Sequence, residues 1–183
     1  MKKGKFVIIS GPSGVGKDTL CDELVKKGVG RYSVSMTTRK KRSNEIEDIS
    51  YFFVSKEEFE RHIKENYFLE YAMYNGNYYG TPNEFIREVT NNGDNVIAVL
   101  EIKGAVNAKK IFSNAITIFI MPPSFDELER RLRGRKSEDD NIINERLNIA
   151  KEEIKYKDKY DYVVINNTVD EAVLEIENII NNC

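Results

Sequence analysis

The chain is poor in the residues from which many catalytic and metal sites are built. It has one histidine, His62, and two cysteines, Cys21 and Cys183, in 183 residues. A single histidine excludes a histidine-rich metal site. A histidine-based triad would have to use a residue of the polar helical stretch 56–65, where the side chain reads as surface. The two cysteines have neither zinc-site spacing nor the density of a disulfide framework. Cys21 reads as a small apolar group on a helix, in keeping with a reduced, cytoplasmic setting. Charge of one sign is not in excess: the formal net charge is −2, so no overall basic field draws the chain to nucleic acid or membrane. No apolar run approaches the ~20 residues that a bilayer span needs. Repeats and low-complexity tracts are missing too. What is present, 40% hydrophobic and 32% charged residues, predicts one folded domain with a core of its own.

Strand and helix patterns alternate along the chain. The spacing predicts a strand over 5–9, a helix over 16–27, strands over 32–36 and 51–54, and a helix to about 65 opened by the capping box Ser55 to Glu58. Extended segments over 68–74 and 77–80 flank an Asn75-Gly76 turn, and Pro82 suits the first turn of a helix to about 92. The nearly continuous apolar run 95–102 reads as a buried parallel strand. A helix over 104–112, a strand over 115–121, a helix capped by Ser124, a polar loop 134–140, a long helix to about 158, a strand over 160–166 and a helix capped by Thr168 complete the order. Alternation at both ends implies an α/β fold, a parallel sheet with helices on both faces. The stretch 35–92, with short strands, hairpin signals and many tyrosines, reads as an α+β insertion on a core of about 1–34 and 93–183. The start at 5–9 leads straight into a glycine-rich loop, so it reads as a core strand and not as a signal peptide.

The loop is the most informative feature. Phe6-Val7-Ile8-Ile9 runs into Gly11-Pro12-Ser13-Gly14-Val15-Gly16-Lys17, the G-x-x-x-x-G-K phosphate-loop pattern between a strand and a helix. Glycines let backbone N–H groups turn inward onto phosphate oxygens, the helix start adds partial positive charge, and Lys17 adds a full one. This predicts a nucleoside triphosphate donor, ATP or GTP, and phosphoryl chemistry. Where Ser or Thr commonly holds Mg²⁺, the chain has Asp18 followed by Thr19. A carboxylate is still a hard oxygen ligand, and both residues are candidate metal ligands.

Further blocks lie downstream: Ser33-Val34-Ser35-Met36-Thr37-Thr38-Arg39-Lys40-Lys41-Arg42, Asp48 to Ser55, Phe68-Leu69-Glu70-Tyr71-Ala72, Gly76-Asn77-Tyr78-Tyr79-Gly80-Thr81, residues 127–135 and Glu145-Arg146-Leu147. With the phosphate loop, and in this order over about 4–180, they resemble the guanylate kinases, which move the γ-phosphate of ATP to GMP. The resemblance implies a P-loop kinase core, a GMP-binding insertion and a short lid of about 130–146. It implies ATP, Mg²⁺ and GMP, with dGMP expected beside it, as the small-molecule partners.

Residue by residue, the resemblance assigns guanine reading to Glu70, with Ser35 and Thr81 donating to the guanine O6. Guanine's N1–H and N2 amine suit one carboxylate, which would repel adenine's acceptor N1. It assigns the GMP phosphate to Arg39, Arg42, Tyr51 and Tyr79, by bidentate guanidinium contacts and phenol donors. It assigns catalytic charge over the phosphates to Lys17, Arg42, Arg135 and Arg146. Arg130, Arg131 and Arg133 read as helix-face residues bonded to Glu127 and Glu129. The chain departs from the family at Asp18 and at Val99, the first of two acidic positions of which only Glu101 remains; Glu101 is expected at the guanine amine or the metal's water shell. Two rival readings are a ribose 1,5-bisphosphate kinase, suggested by Asp18, and a non-catalytic guanylate-kinase-like binding module, which would lack Lys17.

Overall fold

The computed structural model describes residues 3–43, 45–46, 51–74, 76–134 and 139–183. The elements run β1 (Phe6–Ser10), α1 (Lys17–Lys26), β2 (Arg31–Tyr32), β3 (Met36–Thr37), β4 (Phe52–Phe53), α2 (Lys56–Lys64), β5 (Phe68–Tyr74), β6 (Asn77–Pro82) and α3 (Asn83–Asn91). After these come β7 (Val96–Val99), α4 (Ile102–Ile111), β8 (Ile116–Met121), α5 (Phe125–Gly134), α6 (Asp140–Ile154), a 3₁₀ turn (Lys157–Lys159), β9 (Tyr162–Ile165) and α7 (Val169–Asn182).

Two sheets form. The larger has the order β2-β7-β1-β8-β9, with every pairing parallel. β1 is central and buried along its whole length, which is why it reads as an unbroken apolar run rather than an alternating one. Alternate residues serve opposite faces. Val7 and Ile9 join Leu20, Leu24, Leu128, Leu147 and Ile176 on one side. Phe6 and Ile8 join Leu69, Ile86, Ala98 and Ala105 on the other. The chain leaves β1 toward β2 and β7, then later builds β8 and β9 on the opposite side. The C-terminal end of β1 therefore opens on a crevice, the place where parallel α/β sheets bind ligands.

The smaller sheet has the order β4-β3-β6-β5. β5 and β6 are an antiparallel hairpin, with Glu70 opposite Thr81 after a register shift between Phe68 and Glu70. Phe59 of α2 stacks between Phe68 and Tyr78, at centroid distances of 4.3 and 5.1 Å, and seals this sheet's own core.

Four expectations about the elements change. The strand over 32–36 is two strands in two sheets. The Ser33 N–H still donates to Ile97 of β7, but Ser35 O accepts from Phe52 of β4, so the chain changes sheets at Val34. The strand over 95–102 ends at Val99, because Leu100 and Glu101 turn into α4, with Glu101 as its N-cap. The long helix stops at Ile154 rather than near 158. There Lys155 and Tyr156 bond back to Glu152 and Glu153, three residues away, tightening the turn into 3₁₀ geometry. Pro82 stands one place before its helix, as the N-cap of α3. The three serine and threonine caps hold: Ser55, Ser124 and Thr168 each accept from the N–H three residues on. Among the described residues no helix is long and apolar enough to cross a membrane.

Candidate active site

The loop from Gly11 to Gly16 joins β1 to α1. Gly11 and Gly16 have φ of 145° and 92°, backbone that L side chains rarely adopt. At Gly11 a methyl would also stand 2.4 Å from the Ile120 carbonyl oxygen. Lys17 opens α1, and its Nζ donates to Gly11 O at 2.7 Å and Pro12 O at 3.0 Å. The ammonium is thus drawn back over the loop it serves. Burial holds its pKa below the ordinary lysine value, opposed first by the charge of Glu153 and then by Asp18. Asp18 and Thr19 have exposed side chains in the first turn of α1.

Three other elements grip the loop. Buried Asn166, just past β9, donates from Nδ2 to Val15 O at 2.7 Å, and its own carbonyl accepts from Arg131 of α5 at 3.0 Å. Arg146 of α6 donates to the Ser13 hydroxyl. Glu153, also on α6, lines a cavity of about 260 Å³ with Gly11, Ser13, Lys17, Val99, Leu100, Glu101 and Ile102. Its Oε2 is buried without a hydrogen-bond partner. Burial raises the Glu153 pKa, and Lys17 opposes that shift.

A second cavity, of about 270 Å³, lies beside the hairpin. Ser35, Glu70, Tyr71, Ala72, Tyr79, Gly80, Thr81, Val99 and Glu101 line it. Burial, and secondarily the charge of Glu101, pushes the Glu70 carboxyl up to about 6. The two cavities share Val99 and Glu101 as a common wall. At the rim, the Arg39 guanidinium lies 5.5 Å from the Tyr51 ring centroid, and the Tyr51 and Tyr79 rings are 6.0 Å apart. Arg39 also makes a two-pronged pair with Glu45, at 2.6 and 3.0 Å, and the same carboxylate accepts the Arg42 N–H at 2.8 Å.

The structure therefore gathers Ser35, Glu70, Tyr79, Thr81 and Glu101 in one cavity, with Arg39 and Tyr51 beside it. The Arg42 side chain is exposed. Arg135 lies outside the described residues. Arg130 and Arg131 bond Glu127, and Arg133 bonds Glu129, as expected of a helix face. Sequence reasoning missed Asn166 and Glu153. The end of an apolar parallel strand is a ligand-facing position and could have flagged Asn166. Glu153 is one acid among several on its helix, and nothing in the pattern distinguishes it. Among the described residues no group of three or more His, Cys, Asp or Glu could hold a metal ion by itself. Mg²⁺ does not require one, since it keeps waters and binds phosphates through one or two protein oxygens. Asp18, a hard carboxylate whose charge acts on Lys17, could supply one such oxygen.

A glycine loop opening a helix at the central strand of a parallel sheet, with a lysine turned over it, defines a P-loop nucleotide-binding protein. The guanylate kinase family model matches residues 3–183. Guanylate kinases of Halalkalibacterium halodurans and Clostridium tetani are 46% and 47% identical over 180 residues, covering 98% of this chain and 88% and 86% of theirs. The crystal structure of guanylate kinase from Anaplasma phagocytophilum aligns with a TM-score of 0.72 at 32% identity, over 99% of this chain and 86% of that one. The chain belongs to the guanylate kinase family. Membership carries ATP-dependent phosphorylation of GMP to GDP, and in general the use of ATP with Mg²⁺.

Proposed function

We infer that the cavity over the phosphate loop takes ATP and the cavity beside Glu70 takes GMP, so that the reaction runs across their common wall. The observation that carries this reading is the sharing of Val99 and Glu101 by both cavities. In-line transfer needs the acceptor oxygen to meet the γ-phosphorus directly, with no room for water between. A GMP phosphate oxygen attacks the γ-phosphorus, the bond to the bridging β,γ-oxygen breaks, and ADP leaves as GDP forms.

The backbone of Gly11 to Lys17 cradles the donor phosphates, and the Lys17 ammonium exchanges its loop carbonyls for phosphate oxygens. Asp18 and Thr19, in the next two positions, are the residues that would hold Mg²⁺, whose contribution is to neutralise phosphate charge. Arg146, already at the Ser13 hydroxyl, supplies cationic charge over the transferring group, with Arg135 and Arg42 assigned to the same task. On the acceptor side Glu70 takes both guanine donors, Ser35 and Thr81 address O6, and Glu101, which lines the same cavity, serves the guanine amine or the metal's water shell. Arg39, Arg42, Tyr51 and Tyr79 hold the GMP phosphate. The Glu45 carboxylate that now occupies Arg39 keeps the fork aimed.

A coupled ADP-release assay with GMP, dGMP, AMP, CMP and UMP tests the reading. GMP and dGMP are expected to turn over, with AMP lower in kcat/KM by roughly 100-fold or more, as for a site built on paired polar groups. Turnover of another acceptor but not of GMP overturns it. A Glu70→Ala chain that keeps its activity would favour the ribose 1,5-bisphosphate reading, in which no base is read.

A further inference from the structure

Gly104 is the third residue of α4, counted from its N-cap Glu101, and it is buried. Its φ lies outside the left-handed region and the backbone is ordinary helix, which any residue adopts and in which alanine is favoured over glycine. The reason for glycine is therefore not conformational. A methyl built on Gly104 stands 1.7 Å from Glu70 Oε2, 2.7 Å from its carboxyl carbon and 3.2 Å from Oε1. The three nearest atoms to that methyl all belong to the one carboxylate. Glu70 reaches from β5 across to the first turn of α4, the end of a helix that carries unpaired N–H groups and partial positive charge.

We propose that Gly104 is a positioning residue for base recognition: the absence of its side chain forms the seat in which the Glu70 carboxylate is held at the angle that meets guanine. The proposal rests on the guanine-reading role of Glu70 given above. A carboxylate end is flexible, so the fold absorbs a methyl at this position by pushing Glu70 aside. Recognition does not absorb it, because two hydrogen bonds to one base edge tolerate little displacement. Stability and specificity thus respond to the same substitution in different ways. On helix propensity alone Gly104→Ala stabilises; through Glu70 it damages GMP binding.

The test uses the full chain as Gly104→Ala, Glu70→Ala and the double variant, each measured for KM of GMP, KM of ATP, the AMP to GMP ratio in kcat/KM, and thermal unfolding. Gly104→Ala is expected to raise the KM of GMP by about tenfold or more and to erode discrimination against AMP, with the KM of ATP within about twofold and no loss in Tm. On the Glu70→Ala background it is expected to change the KM of GMP by less than about twofold, since the group it displaces is gone. An unaltered KM of GMP in Gly104→Ala, beside a raised one in Glu70→Ala, overturns the proposal. An equal loss on both backgrounds also overturns it. If Gly104→Ala fails to fold, the double variant is expected to fold, because the space the methyl needs has been cleared; a double variant that also fails overturns the proposal. An unaltered KM of GMP in Glu70→Ala itself removes the guanine-reading role, and the proposal with it.

Discussion

At Glu70 one environment bears both on the recognition proposed for it and on its cost. Burial disfavours the charged carboxylate, and Glu101 adds like charge, so the group is pushed up to about 6 from the ordinary 4.5. The guanine-reading role proposed for Glu70 needs the charged form. The KM of GMP should therefore rise as pH falls through about 6, steepening toward tenfold per pH unit below it. In Glu70→Gln that component of the profile should vanish, while the titration of the GMP phosphate itself remains. Steady-state kinetics between pH 5 and 8 on both chains separates the two; identical profiles would show that Glu70 does not titrate in this range. The stability sign is opposite to that of a salt-bridged carboxylate. Because the folded-state pKa is raised, its contribution is full below about pH 4.5 and is lost as pH rises through about 6. Glu70→Gln should then gain in Tm over the parent at pH 7.5 and lose that gain at pH 4.5. At this scale the order of the blocks in the sequence anticipated which residues meet: Glu70 and Tyr79 line one cavity, with Arg39 beside it, and Lys17 turns over its loop. Glu153 and Asn166 were not legible, because their roles come from contacts spanning 136 and 151 positions of chain.

The phosphate loop is held by its surroundings as well as by its own hydrogen bonds. Val15 is a fully buried plug, Asn166 bonds its carbonyl, and Arg131 in turn fixes Asn166. Asn166→Leu leaves the Val15 carbonyl buried and unsatisfied, which should destabilise by about 1–3 kcal/mol. It should raise the KM of ATP several-fold and leave that of GMP unchanged, since Asn166 lies on the donor side only. Urea unfolding and paired KM measurements check both; a larger effect on GMP than on ATP would contradict the assignment of sides. Element types were readable from periodicity because β1 and β8 are buried on both faces and α2, α5 and α7 open with capping residues. The boundary errors have one cause. At Val34 the chain changes sheets without a break in its apolar pattern, and at Leu100 an apolar residue continues a strand pattern after the ladder has ended. Pattern records burial, and burial continued across both points.

Two sheets are linked by the passage at Val34 and by α3, with the cavity beside Glu70 reaching from one to the other. Phosphoryl transfer requires water to be excluded between them, so the smaller sheet is expected to swing toward the loop when both sites fill. Solution scattering should show a fall in radius of gyration with GMP plus a non-hydrolysable ATP analogue, larger than with either alone. An unchanged radius with both would argue for a preformed site. The change of pattern over 35–92 announced short strands and a hairpin apart from the parallel core, but not how those strands are ordered, because β3 and β4 have only two residues each.

The wall shared by the two cavities has a further consequence, for inhibition. A single molecule with a guanosine end and an adenosine end, joined by enough phosphates to pass Val99 and Glu101, would dock its second end from an effective concentration in roughly the millimolar range. Neither half need bind well by itself. Under the proposed filling of the two cavities, such avidity would follow from two residues serving as the wall of both rooms.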